Sequence, residues 1–179
     1  MKYPNYLQQS HETDTFIDIL QQRAESQPDS TAYIFLSDGE TQEVSITYQE
    51  LDQKAKAIAV ELHSMKATGE RALLLYPSGL EFIFAFFGCL YAGVVAVPAY
   101  PPRRNQRMTR LQAILADAQA TFVLTTTSVL TNIKHNLIKE PELAAKRWIT
   151  TDNIAIDNAK DWQMPIVSND TLAFLQYTS

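Results

Sequence analysis

Apolar residues along the chain follow two spacings, one typical of helices and one typical of buried strands. The most apolar stretch, Ala72–Pro102, reads ALLLYPSGLEFIFAFFGCLYAGVVAVPAYPP. A membrane-spanning helix needs about 20 uninterrupted apolar residues, whereas Pro77, Gly79 and Gly93 interrupt this stretch. Short Val/Leu runs are typical of strands that are covered on both faces of a parallel sheet. In place of a membrane span, we predict strand Leu73–Tyr76, helix Leu80–Tyr91 and strand Val94–Ala99.

The same two spacings predict helices and strands on both sides of this stretch. The first predicted helix is Thr15–Ser26, with Phe16, Ile19, Leu20 and Ala24 on one face. The second is opened by Thr47 and has as its buried stripe Leu51, Ala55, Ile58, Ala59 and Leu62. Two more are Met108–Ala118 and a helix that is capped by Ser128 or Thr127 and ended by Pro141. The predicted strands are Thr31–Ser37, Glu43–Ile46, Thr121–Thr126, Trp148–Thr150 and Thr171–Tyr177. Between the last two strands, 153–170 reads as a polar, irregular connection.

This order of elements predicts an α/β fold. Strands that alternate with helices of ten to fifteen residues imply a mainly parallel, doubly wound sheet with helices on both faces. Asp38-Gly39 lies between two strands and predicts an N-terminal β-hairpin. We expect a polar N-terminal arm over residues 1–14 and one domain over residues 15–179.

Capping signals mark several helix ends. Thr47 with Glu50 and Ser78 with Glu81 have the spacing of a capping box, in which a hydroxyl and a carboxylate satisfy the first backbone N–H groups. Gly93 follows the last apolar turn of its helix, where a glycine often ends a helix. These residues are predicted to have structural roles.

Composition and charge exclude several classes of protein. The chain is 46% hydrophobic and 20% charged, which is ordinary for a globular domain and argues against disorder. A net charge of −5 argues against a nucleic-acid surface, which is usually basic. The N-terminal residues lack the apolar core of a signal peptide, and the single cysteine, Cys89, has no partner for an internal disulfide. We therefore expect a cytoplasmic protein.

Isolated polar and aromatic residues suggest no further site by themselves. The histidines have no metal-ligand spacing, and the phenylalanines surround a whole helix, which indicates burial between two layers. A basic cluster could meet an acidic protein surface or a phosphate, although a solvated helix start also explains it. These residues are His11, His63, His135, Phe82, Phe84, Phe86, Phe87, Arg103, Arg104, Arg107 and Arg110.

Three short motifs together resemble the adenylate-forming enzyme superfamily. Residues 46–51, ITYQEL, resemble its early L-T-Y-x-E-L element, and residues 90–98, LYAGVVAVP, resemble its L-K-A-G-x-x-x-V-P element. Residues 175–179, LQYTS, resemble the start of its phosphate-binding loop, YTSGSTGxPKG. The three matches occur in the order of the family and extend over nearly the whole chain.

The amino-acid sequence of the apolar stretch resembles that of one branch of the superfamily, the fatty acyl-AMP ligases. The motifs that carry this resemblance are residues 76–82, YPSGLEF, and residues 97–102, VPAYPP. The resemblance implies the N-terminal part of an adenylation domain, cut at the start of the phosphate-binding loop. Acyl-CoA synthetases and peptide-synthetase adenylation domains remain alternatives, because the insertion that defines the branch lies downstream of this sequence.

The resemblance implies a two-step reaction for the complete enzyme. A fatty acid is activated with ATP and Mg²⁺ to an acyl-adenylate, and the acyl group then passes to an acyl carrier protein. Thr178 and Ser179 are the only residues that the resemblance assigns to ATP, as contacts to its phosphates. No catalytic residue and no protein ligand for a metal ion is assigned within the 179 residues, so we expect the chain to be inactive alone.

A non-catalytic α/β binding module is the alternative from another class, since no complete catalytic set lies within the chain. A nicotinamide-binding domain is less favoured, because no G-x-G-x-x-G follows a predicted strand.

Overall fold

Helices and strands alternate along the part of the chain that the computed structural model describes, residues 15–102 and 108–178. The helices are α1 (Phe16–Ser26), α2 (Tyr48–Ser64), α3 (Leu80–Tyr91), α4 (Thr109–Ala118), α5 (Thr127–Leu137) and α6 (Pro141–Ala144). The strands are β1 (Thr31–Leu36), β2 (Glu43–Thr47), β3 (Arg71–Leu75), β4 (Val95–Ala99), β5 (Phe122–Thr125) and β6 (Arg147–Thr150). The predicted polar arm, residues 1–14, lies outside the described residues.

The main sheet is parallel, as predicted. Its strand order is β4-β3-β5-β6, and every adjacent pair is parallel. β1 and β2 form a separate antiparallel hairpin, also as predicted. None of the helices in the described part of the chain combines the length and the apolar character that a bilayer crossing requires.

Helices cover both faces of the sheet. On one face, α3 packs against β3 and β4, α2 packs against α3, and α1 packs against both α2 and α3. These helices and the strands share one apolar core. On the other face, α4 packs with Ile133 of α5 and Leu143 of α6. Alternate residues of the strands enter the two cores, so that Leu74 faces α3 and Leu73 faces α4. The double coverage explains why these strands read as continuous apolar runs.

The predicted buried stripe of α2 is confirmed, whereas that of α1 is shifted. The stripe of α2 is less than 4% exposed throughout, at Leu51, Ala55, Ile58, Ala59 and Leu62. In α1, Ile17 and Leu20 are buried, but Phe16 is 56% exposed and Ile19 is 42% exposed. Eleven residues carry too few apolar positions to define one face without ambiguity, and the packing against α2 selects Ile17.

The ends of α3 confirm one predicted cap and contradict another. Gly93, with φ of 64°, follows the helix, and its N–H donates to Leu90 O while the N–H of Val94 donates to Cys89 O. This pair of bonds is the Schellman motif. The predicted capping box of Ser78 and Glu81 is wrong, because Gly79 occupies the N-cap without a side-chain bond and Glu81 is then one position too early. The capping box of Thr47 and Glu50 is confirmed.

The predicted final strand Thr171–Tyr177 reduces to a single parallel bridge between Phe174 and Ala96 of β4. Ala96 donates its N–H to Ala173 O, and the N–H of Leu175 donates to Ala96 O. The next donor on β4 towards this segment would be residue 98, which is a proline without an N–H. The ladder loses that bond, and among the described residues it does not extend past Leu175. Residues 171–177, which we call the edge segment, lie at the edge of the sheet beside β4.

Two features after β5 also differ from the prediction. α5 ends at Leu137, and Pro141 begins the short helix α6 where it was predicted to end α5. Proline suits a first helical position, because its missing N–H has no partner there in any case. The connection predicted as irregular includes a turn of 3-10 helix, Ile156–Asp161, followed by Trp162, which packs against Tyr91 of α3.

Candidate functional site

The carboxyl ends of the four parallel strands lie level with one another. The register pairs Leu75 of β3 with Ala99 of β4 and with Thr125 of β5, and it pairs Thr125 with Thr150 of β6. In open α/β sheets, ligands bind outside the carboxyl ends of the strands. We call the residues that follow these ends, 76–79, 100–102, 126–127 and 151–153, the carboxyl edge.

Hydroxyl groups connect three adjacent strands at the carboxyl edge. Thr125, which is fully buried, donates from Oγ1 to the Leu75 carbonyl at 2.7 Å. The Tyr76 hydroxyl and Thr151 Oγ1 lie 2.8 Å apart, and Thr151 Oγ1 also donates to the Thr125 carbonyl at 3.4 Å. Burial raises the pKa of Tyr76 well above its ordinary value, so the hydroxyl stays protonated. These hydroxyls bond to one another and stabilise the edge.

An acidic side chain organises the start of α5 beside this network. The Asp152 carboxylate accepts the Thr127 N–H at 2.9 Å and the Thr127 hydroxyl at 3.1 Å. Asn153 donates from Nδ2 to Thr127 Oγ1 at 2.8 Å. A carboxylate at a helix N-terminus satisfies free N–H groups and matches the helix dipole. Asp152 therefore has a clear structural role.

The segment that follows β4 is the motif 97–102, and it includes Tyr100, which is 80% exposed. Proline at residues 98, 101 and 102 restricts the backbone there. Arg103, Arg104 and Arg107 of the predicted basic cluster lie outside the described residues, and Arg110 is exposed on the first turn of α4. The structure thus describes one of the four arginines.

Two cavities lie near the sheet. The larger, of about 250 Å³, is mainly apolar and lies between the start of α1, the amino end of β4 and residues 167–173. The smaller, of about 110 Å³, lies near the carboxyl edge and is lined by Lys54, Glu81, Thr151 and Asp152 among others. Lys54 Nζ lies 5.0 Å from the centre of the Phe84 ring on this side. Only the smaller cavity is close to the carboxyl edge.

The predicted phosphate-binding residues, Thr178 and Ser179, come directly after residues 171–177, the edge segment that lies beside β4. Thr178 is exposed, and Ser179 lies outside the described residues. The preceding residue, Tyr177, donates its hydroxyl to Asp117 Oδ2 in the last turn of α4, at 2.6 Å. That turn leads to the amino end of β5, and no hydrogen bond of the described chain joins Thr178 to the carboxyl edge. The contact between Tyr177 and Asp117 was not predicted from the sequence.

The single cysteine is buried inside α3. Cys89 is 0% exposed, and burial raises the pKa of its thiol well above the ordinary value of 9.0. A protonated, enclosed thiol is a poor nucleophile, which agrees with its predicted role in the core. Among the described residues, no three His, Cys, Asp or Glu side chains come together as a metal site.

Asp117 and Thr151 are among the polar residues that sequence reasoning missed. Thr151 follows a predicted strand, so its place at the carboxyl edge could have been inferred from topology. Asp117 carries a subtler signal, because an acidic residue in the last turn of a helix opposes the helix dipole and therefore invites a search for a partner. Its partner, Tyr177, is 60 residues away in the sequence.

Two of the known proteins that are similar to this chain in sequence are both fatty acid ligases. A medium-chain fatty acid–acyl carrier protein ligase from Moorena producens (strain JHB) is 50% identical over 172 residues, which is 94% of this chain and 29% of that protein. A long-chain fatty acid–AMP ligase from Mycobacterium tuberculosis is 36% identical over 166 residues, 90% of this chain and 28% of that protein. The chain therefore spans less than a third of the length of these relatives.

A solved structure agrees in fold. The fatty acyl-adenylate ligase from Legionella pneumophila, determined with acyl adenylate and pyrophosphate, superposes with a TM-score of 0.82 at 35% identity, over 91% of this chain and 28% of that one. The sequence profile of the AMP-binding enzyme family matches residues 20–179, which is most of the chain. The chain therefore belongs to the AMP-binding enzyme family.

Proposed function

We propose that the full-length protein containing this chain is an ATP-dependent ligase that activates a fatty acid and transfers the acyl group to an acyl carrier protein. The observation that carries the proposal is the pairing of Phe174 with Ala96. At this bridge Leu175, the first residue of motif 175–179, donates its N–H to Ala96 of motif 90–98, although the two residues are about 80 positions apart in the sequence. Two motifs of one resemblance are thus neighbours in space. The ligase relatives described above support the same reaction.

The proposed first step is the transfer of the adenylyl group of ATP to the fatty acid. A carboxylate oxygen of the fatty acid attacks the α-phosphorus of ATP, an oxygen–phosphorus bond forms, and the bond between the α- and β-phosphates breaks as pyrophosphate leaves. In the second step a carrier-protein thiolate attacks the acyl carbon, and AMP leaves with the electron pair of the broken carbon–oxygen bond. A thioester is the product.

Thr178 and Ser179 would contact the phosphates of ATP. The Thr178 side chain is exposed and makes no hydrogen bond within the described residues, so its hydroxyl is available. Backbone N–H groups and small hydroxyls bind phosphate oxygens without steric obstruction. Charge stabilisation and positioning are the main contributions that a protein makes to phosphoryl chemistry.

Mg²⁺ would enter with ATP. Protein sites for Mg²⁺ often supply only one or two carboxylates, and substrate phosphates and water complete the coordination. The described residues offer no cluster of acidic side chains that would hold the ion by themselves. The proposed chemistry of Mg²⁺ is to neutralise charge on the phosphates.

The proposed setting is the cytoplasm, in a pathway that uses carrier-bound acyl groups, such as polyketide or lipopeptide biosynthesis. The buried, reduced thiol of Cys89 agrees with a reducing compartment. The carrier-bound product is the form in which such a pathway would consume the acyl chain.

ATP–pyrophosphate exchange with a panel of acids tests the proposal. We expect exchange by the full-length protein with fatty acids, and acyl transfer to a phosphopantetheinylated carrier protein in preference to coenzyme A. We expect no exchange by the 179-residue chain alone. Thr178→Val should reduce exchange, whereas the matched control Thr131→Val, on the exposed side of α5, should not.

Different results would point to the alternatives. Exchange with amino acids but not with fatty acids would contradict the proposal in favour of a peptide-synthetase adenylation domain. Efficient transfer to coenzyme A alone would favour an acyl-CoA synthetase, and exchange by the 179 residues would contradict their predicted inactivity. No exchange with any acid would favour a non-catalytic module.

A further inference from the structure

The hydrogen bond between Tyr177 and Asp117 is the last anchor before the proposed phosphate-binding residues. Among the described residues, the edge segment, 171–177, makes two backbone hydrogen bonds to the sheet, at Ala173 and Leu175, and both go to Ala96 of β4. Past Leu175 the described residues make no further backbone bond to the sheet, and Pro98 has no N–H to donate to this segment. The side chain of Tyr177 therefore fixes the chain directly before Thr178.

Tyr177 is held by two kinds of contact. Its ring packs against the core on the α4 face of the sheet, beside Leu175. Its hydroxyl donates to Asp117 Oδ2 at 2.6 Å, a short distance that is typical of a bond from a hydroxyl to a carboxylate. Packing determines on which side of the sheet the Tyr177 ring lies. The hydrogen bond to Asp117 determines which turn of α4 the ring faces.

Asp117 has no evident role in the stability of α4. It lies in the last turn, where the negative end of the helix dipole disfavours a carboxylate. Its side chain is exposed, and the buried stripe of α4 consists of other residues. The one hydrogen bond recorded for its carboxylate in the described chain comes from Tyr177.

The protonation state of Tyr177 suits this bond. The hydrogen bond to Asp117 raises the pKa of Tyr177, and the nearby Arg71 lowers it by a smaller amount. The hydroxyl is therefore a stable donor at neutral pH.

We propose that Asp117 is a positioning residue, which holds the start of the phosphate-binding loop in place through the Tyr177 hydroxyl. The inference rests on the proposed function, since it requires that residues 178–179 contact ATP. A bond that orders the loop before ATP arrives reduces the entropy lost on binding, and so increases the affinity for ATP.

The test measures the affinity for ATP of the full-length protein by calorimetry, in the absence of an acid substrate. Tyr177→Phe keeps the ring and removes the donor, and Asp117→Ala removes the acceptor. We expect each to weaken ATP binding about fivefold, the ratio that corresponds to one hydrogen bond. Because both changes break the same bond, the double variant should bind about as weakly as either single variant.

Two further variants separate positioning from general stability. Asp117→Asn keeps an acceptor oxygen and should bind ATP within about twofold of the unmodified protein. Tyr33→Phe, on the exposed hairpin, is the matched control and should change nothing. In exchange assays, Tyr177→Phe should raise the KM for ATP about fivefold and leave kcat nearly unchanged, because the bond acts on binding.

The inference is overturned if Tyr177→Phe and Asp117→Ala bind ATP within twofold of the unmodified protein, or if their effects add in the double variant. If Asp117→Ala does not fold, the ATP affinities of Tyr177→Phe and Asp117→Asn provide the test in its place. ATP binding without fatty-acid-dependent exchange would contradict the proposed function but leave the inference standing. A full-length protein that does not bind ATP would overturn both.

Discussion

Gly88 of α3 lies so close to α2 that a methyl group in its place would stand 2.5 Å from Ile58 Cγ2 and 2.7 Å from Ile58 Cβ. Real Cβ atoms essentially never approach another residue's atoms to less than 3.0 Å. Gly88 therefore allows α2 and α3 to pack against each other over the same face of the sheet, an approach that any larger residue would prevent.

Gly88→Ala should lower the free energy of unfolding by about 1–2 kcal/mol. Overpacking of a core costs about 1–3 kcal/mol, and the better helix propensity of alanine returns up to about 1 kcal/mol. Urea unfolding of the described domain measures the change. Gln53→Ala, at an exposed position of α2, is the control and should change stability by less than about 0.5 kcal/mol. An unchanged or higher midpoint for Gly88→Ala would contradict the close packing.

The Tyr91 hydroxyl donates to Asp52 Oδ1 at 2.8 Å, and Asp52 Oδ2 pairs with Lys56 Nζ at 2.8 Å. Asp52 is 6% exposed, and Tyr91 is 0% exposed. Asp52→Ala should cost about 2–4 kcal/mol, because it leaves a buried hydroxyl without an acceptor and an ammonium group without its partner. Tyr91→Phe should cost less, about 1–2 kcal/mol, since the ion pair remains.

Chemical unfolding of both variants checks this order. Asp157→Ala, at an exposed position outside the network, is the control. If Tyr91→Phe were as destabilising as Asp52→Ala, the ion pair with Lys56 would contribute nothing, and the prediction would fail.

Stability should fall at alkaline pH. Burial raises the pKa of Tyr76, Tyr91 and Cys89 above their ordinary values of 10.0, 10.0 and 9.0. In Tyr91 the negative charge of Asp52 raises the pKa further. The pKa of each of these three groups is higher in the folded state than in the unfolded state. Their contribution to the free energy of unfolding is therefore fully present below about pH 9 and is lost as the pH rises. The free energy of unfolding should then fall by about 1.4 kcal/mol per pH unit for each group that ionises only on unfolding.

Unfolding midpoints between pH 8 and pH 10.5 measure this loss. Tyr91→Phe should flatten the dependence above pH 10, and Tyr33→Phe, on the exposed hairpin, should not. A pH dependence in Tyr91→Phe equal to that of the unmodified chain would argue against the buried hydroxyl as its source.

Asp38 should control the order of the hairpin loop between β1 and β2. Its carboxylate accepts the N–H groups of Glu40, Thr41 and Gln42 at 2.8–2.9 Å. Hydrogen bonds from these amides, with that of Gln42 the largest, hold the pKa of Asp38 well below its ordinary value of 3.8. The folded-state pKa is depressed, so the loop is most stable above about pH 4 and loosens as the pH falls.

Amide hydrogen exchange measures this order directly. Asp38→Ala should increase exchange at residues 40–42, and protonation of the unmodified chain near its folded-state pKa should have the same effect. Asp29→Ala, an exposed residue before β1, is the control. Unchanged protection of these three amides in Asp38→Ala would show that the carboxylate does not hold the loop.

Sequence reasoning failed where the local spacing of residues allowed more than one arrangement. Ser78 has the spacing of a capping residue, but the chain leaves β3 in a conformation that makes Gly79 the N-cap. Phe16 and Ile19 have helical spacing, yet the packing of α1 on α2 buries Ile17 and Leu20. Periodicity defines a helix well, but the side that it buries depends on its neighbours.

The site shows the same limit. The motif predicts that Thr178 contacts phosphate, and the structure adds that the preceding residue, Tyr177, donates a hydrogen bond to Asp117 of α4. A motif records which residue types occur together along the chain. The place of Asp117 in the last turn of a helix suggests that it has a partner, but the local sequence does not indicate that the partner is a hydroxyl 60 residues later.

The sequence by itself determined the α/β class, the parallel sheet, the hairpin and the family resemblance, because these depend on hydrophobic spacing and on short motifs. The tertiary structure decided where the last strand stops, since Pro98 interrupts a ladder whose partner lies far away in the sequence. It also decided how Tyr177 is anchored and how closely α2 and α3 pack. Local patterns select secondary structure, whereas backbone donors, side-chain partners and close approaches are fixed only when distant segments meet.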